Sequence, residues 1–150
     1  MSGSQQPHTE RRSRTREIID NLVAERQELL VSFCRLAGLE PHPQDKPAGV
    51  TLREFCQVLV DYAAAVHFEV YTRVAEGKER REPVLRIAKE SYPRIAEITQ
   101  RAVDFNDEYA DAGVDPPGSS LQEDLSRLGE ELALRFELED KLFHALLSRR

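Results

Sequence analysis

Tryptophan is absent from this 150-residue chain, cysteine occurs twice and histidine four times. No apolar run approaches the roughly 18 residues that a membrane-spanning helix needs, so no membrane segment is expected. Two cysteines cannot make a disulfide framework. Cys34 and Cys56 both fall inside predicted helices and are expected to be free thiols flanking a core. Carboxylate-bridged metal centres in helical bundles use Glu-x-x-His pairs on two helices, and this chain contains no Glu-x-x-His. His8 lies in an expected tail, His42 in an expected loop and His144 near the C-terminus, which leaves His67 as the one central histidine. No metal or other cofactor is therefore expected. There is no glycine-rich phosphate loop, no internal repeat and no strand-like alternation. The opening MSGSQQPHTERRSRTR is polar and basic with no apolar stretch behind it, so no secretory signal is expected and the cytoplasm is the default location.

What is there is charge and helical periodicity. Charged residues make up 32% of the chain and the net charge is −6. Four arginines against two glutamates give residues 1–17 a net +2, which leaves −8 on the remainder. An acidic body does not suit direct nucleic-acid binding, which needs clustered Lys and Arg, whereas it suits a basic protein partner. Net negative charge also simply keeps a protein soluble.

Residues 1–14 are expected to be a disordered or loosely attached tail, and residues 15–150 a single domain. A first helix is predicted from about Thr15 to Gly38, with Ile19, Leu22, Val23, Leu29, Leu30, Phe33, Leu36 and Ala37 on its core face. A proline-rich loop, Leu39 to Gly49, leads to a second helix from about Thr51 to Val74, where Thr51 and Glu54 have capping-box spacing. Its stripe comprises Leu52, Phe55, Cys56, Leu59, Ala63, Val66, Val70 and Val74. A third helix starts near Pro83, with Val84, Ala88, Tyr92, Ile95, Ala102 and Tyr109 inward, and Pro93 predicts a kink or a break in it. After the loop Ala112 to Ser120, a fourth helix follows, with Ser120 and Glu123 as a capping box and Leu121, Leu125, Leu128, Leu132, Phe136, Phe143 and Leu146 inward. The expected architecture is all-α, an antiparallel four-helix bundle with a kinked or split third helix.

Two constellations stand out. Arg26, His67 and Glu139 interrupt the apolar stripes of helices one, two and four, and Asn106 is a weaker candidate on helix three. Buried charges persist when paired, so these four are expected to meet in a buried polar network. The second is the outer face of helix two, where Phe68 stands among Ala64 and Ala65 with Asp61 beside it. Leu134 and Leu138 form a similar flank on helix four, and Asp20 lies off the core face of helix one. Such an acid-rimmed apolar surface fits a basic amphipathic partner. Other readings of the bundle are a histidine phosphotransfer module, disfavoured because His67 is expected to turn inward, and a small-ligand sensor.

Several stretches together carry a resemblance: IIDNLVAERQELL (Ile18 to Leu30), FCQVLVDYAAAVHFEVY (Phe55 to Tyr71), YPRIAEIT (Tyr92 to Thr99) followed by Phe105, Asn106 and Asp107, and SLQEDLSRLGEELALRFELEDKL (Ser120 to Leu142). From about Ile18 to Leu147 the chain resembles the Rsd/AlgQ family of anti-sigma factors, with its AlgQ members the nearer. That resemblance implies a non-enzymatic, cytoplasmic bundle, monomeric when free, that binds domain 4 of the primary sigma factor and so occludes its −35 promoter and polymerase-flap contacts. Asp61, His67, Phe68 and Tyr71 match the family's DY-x-x-A-x-HF-x-x-Y motif, and Phe136, Glu139 and Asp140 its F-x-LED motif. Val66 stands where relatives often have glycine, and Leu22 replaces an aromatic residue typical of the first helix.

Overall fold

The computed structural model describes residues 7–38, 48–109 and 118–148. Most of the two expected long loops lies outside the described residues. The described chain is helical, without strands, in the order α1 (Pro7–Ala37), α2 (Ala48–Val66), a π-helical turn (His67–Tyr71), α3 (Thr72–Ala75), α4 (Glu82–Tyr109) and α5 (Gly118–Leu147). The α2, π and α3 segments follow one another without a gap, so four long helical rods result.

Local chemistry accounts for most of the boundaries. α1 starts at Pro7, upstream of the expected Thr15, and proline is well placed in a first turn because its missing N–H has no helical partner there. It stops at Gly38, whose φ of 71° is left-handed and whose N–H bonds the Arg35 carbonyl at 3.2 Å. α3 ends in a Schellman pattern: Gly77, at φ 75°, donates to Val74 at 3.0 Å, and Lys78 donates to Arg73 at 3.0 Å. α2 begins at Ala48 and α5 at Gly118, so Thr51 and Ser120 fall inside their helices instead of preceding them as caps. α4 runs unbroken through Pro93, so no split third helix occurs.

Pairs of contacts fix the directions. Phe33 meets Phe55 at 5.9 Å and Arg26 meets Tyr62, so α1 and α2 are antiparallel. Phe55 meets Phe105 at 5.7 Å while Tyr71 reaches Ser91, so α2 and α4 are too. Tyr109 bonds Asp124 at 2.5 Å at one end of α4 and α5, and Arg81, just before α4, caps the Leu146 carbonyl at 3.1 Å at the other. Arg26 pairs with Glu139 and Phe33 lies against Gly129, closing α5 back on α1. The arrangement is an up-down-up-down bundle with α1, α2, α4 and α5 around a ring.

Its core contains Leu22, Leu29, Phe55, Leu59, Val66, Val84, Ile98 and Leu142, all at most 2% exposed. Val23, Leu30 and Tyr92, expected inside, are exposed at the margins of their stripes, Tyr92 with its ring still 5.2 Å from that of Tyr71. No described helix is long and apolar enough to cross a membrane.

Candidate functional site

The buried polar network exists, with a changed membership. Glu139 is completely buried. Its Oε1 accepts from the Tyr62 hydroxyl and from Arg26 Nη2 at 3.1 Å, and its Oε2 accepts from Arg135 Nε at 2.6 Å. Arg26 also donates to Tyr62 at 3.1 Å and to Asp140 at 2.7 Å, and Arg135 donates to Thr99 Oγ1 at 2.7 Å. The Arg26 guanidinium lies 4.8 Å from the centre of the Phe136 ring, a cation–π contact that keeps the charge while excluding water. Burial, reinforced by the negative charge of Glu139, pushes the Tyr62 phenol far above its ordinary range, so it stays a donor.

Two expected members are not in this network. His67 is exposed, and Asn106 is half-buried. On α4 the buried positions run Ile98, Ala102, Phe105, Tyr109, which leaves Asn106 beside the stripe. His67 lies on the edge of its stripe that faces α4, where an open cleft replaces close packing. Arg135 and Tyr62 take the vacant roles. The signal for Arg135 was legible: continuing the three-four alternation Leu125, Leu128, Leu132 lands on Arg135 and then Glu139. Phe136, expected inward, is one position off and only half-buried.

The π turn had no sequence signal. Thr72 donates its backbone N–H to the His67 carbonyl five residues back, and its hydroxyl reaches the same oxygen at 3.1 Å. On an unbroken α-helix, counted from Leu52, Tyr71 would turn away from the core. The wider turn swings it inward, to 5% exposure and a 2.9 Å hydrogen bond with Ser91. At the start of the same turn, Phe68 is held outward at 66% exposure, with the His67 ring edge-on at 5.2 Å.

Asp61, Ala64, Ala65 and Phe68 do share the outer face of the α2 rod. Asp61 and Phe68 are exposed and the two alanines half-buried, while Gln57 holds the Asp61 carboxylate at 2.9 Å. Sequence reasoning missed the acid that α1 adds. Burial, then the charges of Glu28, Asp61 and Glu69, push the Glu25 carboxyl up from its ordinary value, which places four acids along the α1–α2 side of the patch. Asp20 is exposed but lies about 140° around α1 from Glu25, and so off this side. Leu134 and Leu138 are half-buried on the side of α5 that carries Glu131, whose partners Arg94 and Arg101 are on α4. They belong to a different groove from Phe68. The exposure of His67 also removes the burial argument against phosphotransfer.

Between α2 and α4 a cleft of about 360 Å³ opens beside the patch, with His67 and Tyr92 among its lining residues. Among the described residues no group of three His, Cys, Asp or Glu side chains is arranged to hold a metal.

The family model described as "Regulator of RNA polymerase sigma(70) subunit, Rsd/AlgQ" matches residues 1–147. Curated proteins named "Regulator of sigma D" are similar. One from Yersinia pseudotuberculosis serotype O:1b is 34% identical over 138 residues, spanning 89% of this chain and 82% of the relative. One from Yersinia enterocolitica is 35% identical over 141 residues, spanning 89% and 83%. One from Salmonella arizonae is 35% identical over 137 residues, spanning 89% and 84%. No solved structure matches the chain.

Proposed function

This chain belongs to the Rsd/AlgQ family of regulators of the RNA polymerase sigma(70) subunit, and from that premise we propose that it binds domain 4 of the primary sigma factor through the outer face of the α2 rod. The observation that carries the reading is Phe68, two-thirds exposed on the π turn with acids along one side. A large ring that folding leaves in water is a candidate anchor for a partner's apolar pocket. Glu25, Glu28, Asp61 and Glu69 then complement a basic surface and steer its approach. A DNA-reading domain presents such a surface because it must meet phosphates. Regulation here is competitive occlusion: the acidic face covers the region that would contact the −35 element and the polymerase flap, and no bond is made or broken. The protein acts as a monomer and does not itself touch nucleic acid.

The test is a calorimetric titration of the full chain against isolated domain 4 of its own primary sigma factor, at low and at physiological salt. One-to-one binding that weakens as salt rises is expected, because exposed charge pairs are screened over about 8–10 Å under these conditions. Absence of binding at both salts would overturn the proposal.

A further inference from the structure

The cleft between α2 and α4 contains one group that a merely apolar groove does not need. Its walls include Val60 and Ala64 from α2 and Ala96 and Val103 from α4, and small side chains are what leave the space open. Arg135 also lines it, although that residue is only 2% exposed. Its Nε is committed to Glu139 and its Nη1 to Thr99, while Nη2 has no hydrogen-bond partner among the described residues. Arginine is always charged at ordinary pH. Two guanidiniums, Arg26 and Arg135, share the single buried carboxylate of Glu139. The other counter-ion, Asp140, is 62% exposed and bonds Arg26. The four charges balance, with Asp140 on Arg26 and Glu139 shared between the two guanidiniums, so what Arg135 offers the cleft is the unpartnered Nη2 of a buried cation.

We propose that this cleft is a binding site for a small amphiphilic carboxylate, with its head group on Arg135 Nη2 and its apolar body between Ala64, Ala96 and Val103; the Thr99 hydroxyl, which donates to the Ile95 carbonyl at 2.8 Å, only orients Arg135. The volume falls within the range of small-molecule sites. The carboxylate offers what Arg135 lacks, a second anionic acceptor for a guanidinium that is already oriented by Glu139 and Thr99. The apolar walls supply burial for a chain or ring. Ala64 borders both the cleft and the Phe68 patch, but the head-group contact on Arg135 is independent of sigma binding.

Octanoate, octan-1-ol and octylamine share a chain length and differ in head group, so titrating each into the isotopically labelled full chain isolates the head-group contribution. Octanoate is expected to bind at least about tenfold more tightly than the other two, a difference of about 1.4 kcal/mol. The amide signals that move should be those of Ala64, Ala96, Thr99 and Val103. Val60→Phe, which fills the cleft and leaves Arg135 untouched, should weaken octanoate by about tenfold or more with the thermal midpoint unchanged. Equal affinities for the three probes, tighter binding of the amine, or octanoate binding that survives Val60→Phe would each overturn the proposal.

Discussion

Tyr62 and His67 stand five residues apart on one rod and occupy opposite edges of the same apolar stripe, yet one is buried and the other exposed. The Tyr62 edge faces α1 and α5, which bring Arg26 and Glu139 to meet its hydroxyl. The His67 edge faces α4, which brings Ala96 and leaves a cleft. An edge position is thus decided by what the neighbouring helix offers it, a quantity that no single-helix wheel contains. Where a partner was available, the polar side chain became structural; where none was, it remained free for an outside ligand.

Breaking the buried edge should have the largest effect. Glu139→Ala strands Arg135 in the core and leaves Arg26 with Asp140 alone, and it is expected to cost about 3–5 kcal/mol, seen as a lowered urea midpoint. Replacing the partners together, Arg135→Met with Glu139→Met, should recover most of that loss, because an apolar pair of similar volume removes the desolvation cost along with the attraction. If the double variant is no more stable than Glu139→Ala, the network is held by more than charge pairing. The exposed edge should behave in the opposite way. Phe68→Ala combined with Asp61→Lys is expected to leave stability within about 0.5 kcal/mol while weakening sigma domain 4 by at least about 2 kcal/mol, or roughly thirtyfold. Wild-type affinity in that variant would remove the patch from the interface.

The smallest effect concerns Glu25. Its folded-state carboxyl titrates above the ordinary value because burial and neighbouring acids disfavour the charge. The folded state therefore holds that proton more tightly than the unfolded chain does. The associated stability is complete below the unfolded glutamate pKa of about 4.3, and it is lost as pH rises through the raised folded value. Glu25→Gln should accordingly raise the melting temperature slightly at pH 7, by the equivalent of about 0.5 kcal/mol or less, and change nothing near pH 3.5. An equal rise at both pH values would show that charge is not the cause.

The bundle was legible because periodicity is a property of each helix alone: Leu52, Phe55, Leu59 and Val66 had to face inward together. Arg26 and Glu139 were legible for the same reason, as polar residues standing in apolar rows. His67 was misplaced because an edge residue depends on its neighbour, and Arg135 was missed because Phe136 looked the better core residue. The π turn was hidden for a different reason. The inward Tyr71 that it produces meets Ser91, a tertiary bond that only exists once α2 and α4 are packed. Pro93 does not break α4, since the packed bundle keeps the helix continuous past the hydrogen bond that proline cannot make. Cys56 behaved as composition suggests, a buried thiol pushed up to about 11 by burial and so unreactive at neutral pH.

The pairing of Arg26 with Glu139 and Asp140 spans 113 and 114 residues, nearly the whole described chain. In kinetic terms it is the clasp between the first and last rods, and a contact of such sequence separation has the greatest loop entropy to overcome before it forms. Loop entropy therefore predicts that the clasp closes late on the folding route. Weakening it should then show on one limb of a chevron only: stopped-flow measurements on Glu139→Ala are expected to find faster unfolding with a nearly unchanged refolding rate. The charged core of this bundle would on that basis act as a latch on its lifetime, while the apolar stripes determine how quickly it is reached.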